Sequence, residues 1–295
     1  MRSKDLGTIK DLPSSFSKED SLDIFRKMNT ARTFEMNVKK AYDNGLIRFP
    51  VYLSVGQESV SAALSMAYKD AHIFGQHRCH DYYLSYGGDM VKLIDELLMR
   101  DTGCAHGMGG SASIHSPEIH MFGHSGLLGD HIPIAVGYAL GNNKKVLAVM
   151  GDATAEEDYV LGALGYAAHK KVPVLFVVMD NNLSVLTEVK VRRNWSITKV
   201  AEGFGIPSID IADDPWLVMH HANQLKNNTP ALINVRTVRH LWHFGTGVDG
   251  PPEWDRLSLV REELIKLGLE REMNVIEEET NKHVNDLWER QLQKK

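Results

Sequence analysis

The sequence predicts an α/β protein built on a parallel sheet flanked by helices, and three features of one stretch carry that prediction. Residues 146–150 form a short, wholly apolar run that ends in Gly151-Asp152-Ala153, as a buried parallel strand does at its carboxyl end. Residues 174–179 form a second such run, ending in Asp180-Asn181-Asn182. Between them lies a helical pattern, opened by Thr154 three residues before Glu157 in a capping-box arrangement and stopped by Pro173. Two parallel strands joined by a helical crossover bring both carboxyl ends to one sheet edge, where open α/β sheets bind ligands. Asp152 and Asn181 are therefore expected to face the same crevice.

A carboxylate and an amide are hard oxygen donors suited to Mg²⁺ or Ca²⁺. A cation with only two side-chain ligands completes its shell with phosphates, carbonyls and water. The pair thus points to a diphosphate-bearing cofactor, placed beside the free N–H groups and positive dipole end of a helix starting near Thr154. The same dipeptides also serve as plain turn and loop closers, and that reading stands beside the first.

The 295 residues are 43% hydrophobic and 24% charged, enough to bury a full core. A formal charge of −5 and a pI near 6.3 leave no electrostatic footprint for nucleic acid. No run approaches the ~18 apolar residues of a membrane span, and the first residues lack the apolar core of a signal peptide. No membrane role is expected, and a cytoplasmic location is. Two cysteines, Cys79 and Cys104, argue against a disulfide scaffold and fit a reducing compartment.

Residues 1–16 read as a polar N-terminal arm and residues 17–295 as one domain. Ser17 and Asp20 make a helix-capping pattern, after which Ile24, Phe25, Met28, Ala31, Phe34, Val38 and Ala41 recur at helical spacing until Asn44-Gly45. Gly56-Gln57-Glu58 opens a second helix, and residues 72–74 read as a strand. Residues 75–81 follow directly, so Arg78 and His80 belong at a strand's carboxyl end. A helix is expected over residues 89–100, then a glycine-rich loop over 102–111, a glycine-rich turn over 123–129 and a helix over 132–140. Beyond Thr187 a polar loop leads into helix, strand, helix and strand over 200–204, 208–211, 215–227 and 231–238. The tail carries Leu259, Leu264, Leu267, Val275, Val284 and Leu287 among many charges, as two surface helices. Eight histidines lie between His72 and His131, yet no His-Glu-x-x-His or Cys-x-x-Cys spacing supports a zinc hydrolase.

Taken together, these stretches resemble the alpha subunits of the thiamine-diphosphate-dependent first component of 2-oxo acid dehydrogenase complexes, of the pyruvate, branched-chain and acetoin types. The family's Gly-Asp-Gly and Asn-Asn signature matches Gly151-Asp152-Ala153 and the Asp180-Asn181 pair. The resemblance implies that Asp152, Asn181 and the Leu183 carbonyl ligate Mg²⁺, and that Gly151, Ala153 and Thr154 border the cofactor. Ala153 replaces a glycine, and its methyl is expected to crowd the diphosphate or shift the turn. The family's Tyr-Arg-x-His-Gly element falls on His77, Arg78, Cys79, His80 and Asp81, which implies a diphosphate grip for Arg78 and a catalytic place near the reacting carbon for His80. Residues 102–111 match the family's glycine-rich channel wall, with Ser113 where pyruvate-type members have histidine. Gly126 and Leu128 match positions that meet the aminopyrimidine ring. Arg239 and His243 match a further arginine and a second histidine over the thiazolium, while Phe244 stands where regulated relatives have a phosphorylatable serine.

The implied reaction is decarboxylation of a 2-oxo acid with acyl transfer to a lipoyl group of an acyltransferase. The family draws its activating glutamate from a beta subunit, which implies an alpha2–beta2 heterotetramer. A carboligase or transketolase-like subunit and a non-catalytic assembly subunit are the alternatives.

Overall fold

Parallel pairing decides the architecture. The structure is a computed structural model that describes residues 12–123 and 125–294. The N-terminal arm thus lies outside the described residues up to residue 11, while Pro13–Ser15 forms a 3₁₀ turn and Leu12 packs into the core.

Helix α1, Lys18–Asp43, begins where the Ser17 hydroxyl accepts the Asp20 N–H at 2.9 Å. Its predicted apolar stripe is buried at every position from Ile24 to Ala41. Then come α2 (Glu58–Ala67), β1 (His72–Phe74), α3 (His80–Ser85), α4 (Met90–Leu97), β2 (Met121–Phe122), α5 (His131–Asn142) and β3 (Val146–Gly151). After α6 (Asp158–Lys170) and β4 (Val174–Asp180), a hairpin of β5 (Leu183–Ser184) and β6 (Thr187–Glu188) runs into the single turn α7 (Val189–Arg192). The chain closes with α8 (Ile197–Gly203), β7 (Ser208–Ala212), α9 (Pro215–Leu225), β8 (Ala231–Arg236), α10 (Arg256–Lys266) and α11 (Glu270–Gln293).

The main sheet has the order β2-β1-β3-β4-β8-β7, with every pair parallel. Period-two alternation divides the core. Leu147, Val149, Leu175, Val177, Ile233 and Val235 face the layer of α1, α2, α9, α10 and α11, whereas Val146, Ala148, Met150, Val174, Phe176 and Val178 face α5, α6 and α8. Strand succession reverses direction between β1 and β3, which opens a crevice at their carboxyl ends.

Three expectations are corrected. The segment at Thr154 is only a 3₁₀ turn, Thr154–Glu156, and α6 starts at Asp158 behind an extended Glu157 with no side-chain cap. The capping box is not formed, and the long helix's dipole end lies further from Asp152 than expected. The polar loop after Thr187 is instead the second strand of a hairpin and a helical turn. In the tail, Leu257, Val260, Leu264, Met273, Ile276, Val284 and Trp288 are buried, while Val275 is exposed. The long helix packs against α1 along Phe34 and Trp288, so tertiary contact rather than leucine count selects the buried face.

Candidate functional site

At the switch point the segments after β1, β3 and β4 converge on a cavity of about 150 Å³, lined by Gln76, His77, Arg78, Leu128, Gly151, Asp152, Ala153, Thr154, Asn181, Leu183, Ser184, Val185 and His243. Ten of the sequence-predicted site residues are thus brought together. Gly126 is exposed and outside the lining, in a left-handed conformation (φ +105°) that favours glycine. A larger groove of about 600 Å³ lies between α1 and α11, but it is lined largely by amides with the ion-paired Arg32 and Glu277 and by none of the predicted site residues.

Asp152 is buried at the end of β3, where burial, then the Asp180 carboxylate, push its carboxyl up to about 6 against the pull of Arg192. Its Oδ1 accepts a hydrogen bond from Arg192 at 2.8 Å, and its Oδ2 has no partner. Arg192 also donates to Glu156 at 2.7 Å. Two neighbouring carboxylates with one free oxygen make a site that demands positive charge. Asn181 lies beside them and accepts the Leu183 N–H at 3.1 Å, which turns the backbone at Leu183 back along the cavity. Ala153 has φ −70° and ψ −38°, ordinary helical values, so the methyl group strains no backbone there.

Arg78 supplies the opposite demand. Its guanidinium donates to two backbone carbonyls, those of Leu53 and of His243, the latter at 2.9 Å. Burial, then Arg239, push it down to about 10, so it is still a cation at neutral pH without a directly bonded carboxylate. A buried cation held only by carbonyls is favourable ground for an anion. Beside it, burial followed by Arg78 and Arg239 pushes His243 down to about 4 against Asp249, so its imidazole is neutral at pH 7. The rings of His77 and His243 stand 5.1 Å apart, and Tyr52 meets both edge-on at 4.9 and 5.6 Å.

Besides Gly126, two predicted site residues do not reach the cavity. His80 is fully buried on α3, with Nδ1–H donated to Glu35 at 3.0 Å and Nε2 paired with the Ser111 hydroxyl at 3.0 Å. Both ring nitrogens are engaged, because placing His80 in the first turn of a helix aims it into the core. Arg239 donates to Asp249 at 2.6 Å and to the Val185 carbonyl at 2.9 Å, so it anchors a lining residue instead of lining the cavity itself. Asp81, in the family's glycine position, is buried, and burial followed by opposing contacts with Ser61, Glu35 and Glu58 leaves its carboxyl well above the usual range.

The family model for the dehydrogenase E1 component matches residues 26–294. The chain belongs to that family. Among its relatives, the pyruvate dehydrogenase E1 component subunit alpha of Zymomonas mobilis is 30% identical over 241 residues, 77% of this chain and 68% of its own. That of Rhizobium meliloti is 31% identical over 205 residues, 67% and 59% respectively. The alpha subunit of acetoin:2,6-dichlorophenolindophenol oxidoreductase of Cupriavidus necator is 28% identical over 244 residues, 77% and 72%. The chain therefore spans between 59% and 72% of the length of these relatives.

Within this E1 chain, sequence reasoning missed Gln76, Tyr52, Asp180 as a charge partner and Arg192. The paired arginines 192 and 193 in an otherwise polar stretch were the available signal for the last. An anion bound at Arg78 offsets one of the charges that, after burial, hold His243 down. Inorganic diphosphate with Mg²⁺ is therefore expected to raise the His243 pKa from about 4 by about one pH unit, read from its ring carbon signal in an NMR titration. An unmoved titration would mean that the anion does not settle beside Arg78.

Proposed function

We propose that this chain is the alpha subunit of a thiamine-diphosphate- and Mg²⁺-dependent 2-oxo acid dehydrogenase. The observation that carries the reading is the pairing, in one cavity, of a cation-demanding cluster at Asp152 and Asn181 with the anion-demanding guanidinium of Arg78. A metal diphosphate satisfies both at once.

Asp152, Asn181 and the Leu183 carbonyl would hold Mg²⁺, and Arg78 would bind the diphosphate. Thiamine diphosphate, when bound, supplies the nucleophilic carbon that decarboxylation of a 2-oxo acid requires. His243, neutral at pH 7, can take a proton on a ring nitrogen as charge develops, and His77 closes the wall beside it. Leu128 and Val185 keep the mouth apolar.

Size and lining support a partner subunit. A cavity of about 150 Å³ is below the ~300 Å³ at which small-molecule sites begin, so a two-ring cofactor extends past its mouth. Among the described residues, no glutamate lines it. Leu127, Val185, Leu186 and Phe244, all 46% exposed or more, lie at or next to lining residues and offer an apolar rim. A beta subunit covering that rim and supplying the activating glutamate completes the site in an alpha2–beta2 assembly, with a lipoyl acyltransferase as acceptor of the acyl group.

The test is calorimetry of thiamine diphosphate against the chain co-purified with its candidate beta subunit, with and without Mg²⁺. Binding that requires Mg²⁺, followed by CO₂ release from a 2-oxo acid and acylation of a lipoyl domain, is the expected result. CO₂ release with carbon–carbon bond formation to an aldehyde would replace the dehydrogenase by a carboligase. Absence of binding would leave an assembly subunit.

A further inference from the structure

The glycine-rich loop of residues 102–111 is wrapped around a side chain of the protein itself. Glu96, in α4, is fully buried. Its Oε2 accepts the backbone N–H groups of Ala105 at 2.7 Å and Gly107 at 2.9 Å, and its Oε1 those of Gly109 at 2.8 Å and Gly110 at 3.0 Å. A Cβ at Gly103 would come within 2.5 Å of the same carboxylate, and one at Gly109 within 2.2 Å of the Ser113 carbonyl. Close approach to Glu96, with the left-handed turns at Gly107 and Gly110 (φ +70° and +58°), accounts for this loop's glycines.

The loop ends at Ser111, which is also buried. Its hydroxyl pairs with His80 Nε2 at 3.0 Å and accepts the Tyr52 N–H at 2.9 Å. The Tyr52 ring then meets His77 and His243, both in the cavity wall. A continuous physical path thus runs from Glu96 through four N–H bonds, one hydroxyl and one backbone bond to two histidine rings.

We propose that Glu96 is a positioning residue for the cavity, setting through the loop, Ser111 and Tyr52 where His77 and His243 stand. Only the consequence for cofactor affinity rests on the function proposed above. A carboxylate suits the task because it is acceptor-only and offers sites for four donors; a glutamine amide would turn two N–H donors towards two others.

The full-length chain with ¹³C-labelled histidines tests this through Glu96→Gln and Ser111→Ala, with ring signals assigned by His77→Gln and His243→Gln. In Glu96→Gln, amide exchange over residues 105–110 should rise at least about ten-fold while β3 and β4 stay protected, and the His77 and His243 ring signals should shift. In Ser111→Ala the same ring signals should shift with loop protection retained. In the complex with the beta subunit, both variants should weaken binding of Mg²⁺–thiamine diphosphate about ten-fold, which is about 1.4 kcal/mol. Unchanged loop exchange in a folded Glu96→Gln chain overturns the proposal. So does faster loop exchange with unmoved ring signals, which would make Glu96 a local brace. If Glu96→Gln loses protection in β4 as well, Ser111→Ala decides, and unmoved ring signals there overturn it. If even the unsubstituted complex binds no cofactor, the functional reading fails while the ring signals still decide the role of Glu96.

Discussion

On the proposed function, calorimetry of Asp152→Ala is expected to show Mg²⁺-dependent binding of thiamine diphosphate weakened at least about a hundred-fold, with the chain still folded. The buried carboxylate is already unfavourable where it stands, since burial and Asp180 push its pKa up to about 6. Removing it relieves that repulsion, and Arg192 keeps Glu156 as a partner. Arg192→Gln should act in the opposite direction. The guanidinium on Asp152 Oδ1 offsets the negative charge that would draw a divalent cation to the unpartnered Oδ2, and its loss leaves Asp152 beside Asp180 without that guanidinium charge. Mg²⁺ affinity of the Arg192→Gln chain, measured by calorimetry without cofactor, is expected to rise roughly ten-fold, the scale of a part-buried ion pair. Equal affinity in the two proteins would show that Arg192 does not compete for Asp152.

His80→Ala lowers the unfolding free energy by about 3 to 5 kcal/mol, because one half of a fully buried pair is left without its partner. Glu35 has more to lose than the one contact. It also accepts the Ser54 N–H at 2.8 Å and the Ser54 hydroxyl at 2.7 Å. Burial pushes its carboxyl up, but His80 and the Ser54 bonds outweigh burial and hold it below its ordinary value of 4.5. A depressed carboxyl contributes stability above that ordinary value and loses it as pH falls through the depressed one. Urea unfolding of the native chain is therefore expected to shift to lower denaturant as pH drops below 4.5, and Glu35→Gln should flatten that dependence. The Glu35→Ala/His80→Ala double variant should lose less than the sum of the single losses, by about 1 to 3 kcal/mol. Strict additivity would mean that the two side chains do not stabilise one another. A catalytic histidine facing the cavity would give neither result.

Much of the site was legible because it follows from strand ends. Asp152 and Asn181 each lie just beyond an apolar run, and parallel pairing leaves only one edge for both. Arg78 was legible for the same reason, as it follows β1. His80 lies in the core instead of at the cavity because two residues carry the chain from that edge into the first turn of a helix, where the side chain turns inward to Glu35. Thr154 and Glu157 had the spacing of a capping box, but burial of Thr154 in a 3₁₀ turn took precedence over the local motif.

By itself the sequence determined the three-layer class, the α1 stripe, the strand cores and the edge at which chemistry is done, since these depend on periodicity and chain direction alone. Only the tertiary structure decided which charges meet. Glu35 with His80, Glu96 with its loop, and Arg192 with Asp152 are separated by between 9 and 45 residues in the chain. No spacing rule encodes such contacts, because whether a carboxylate finds a guanidinium, an imidazole or a ring of N–H groups depends on how separate elements pack.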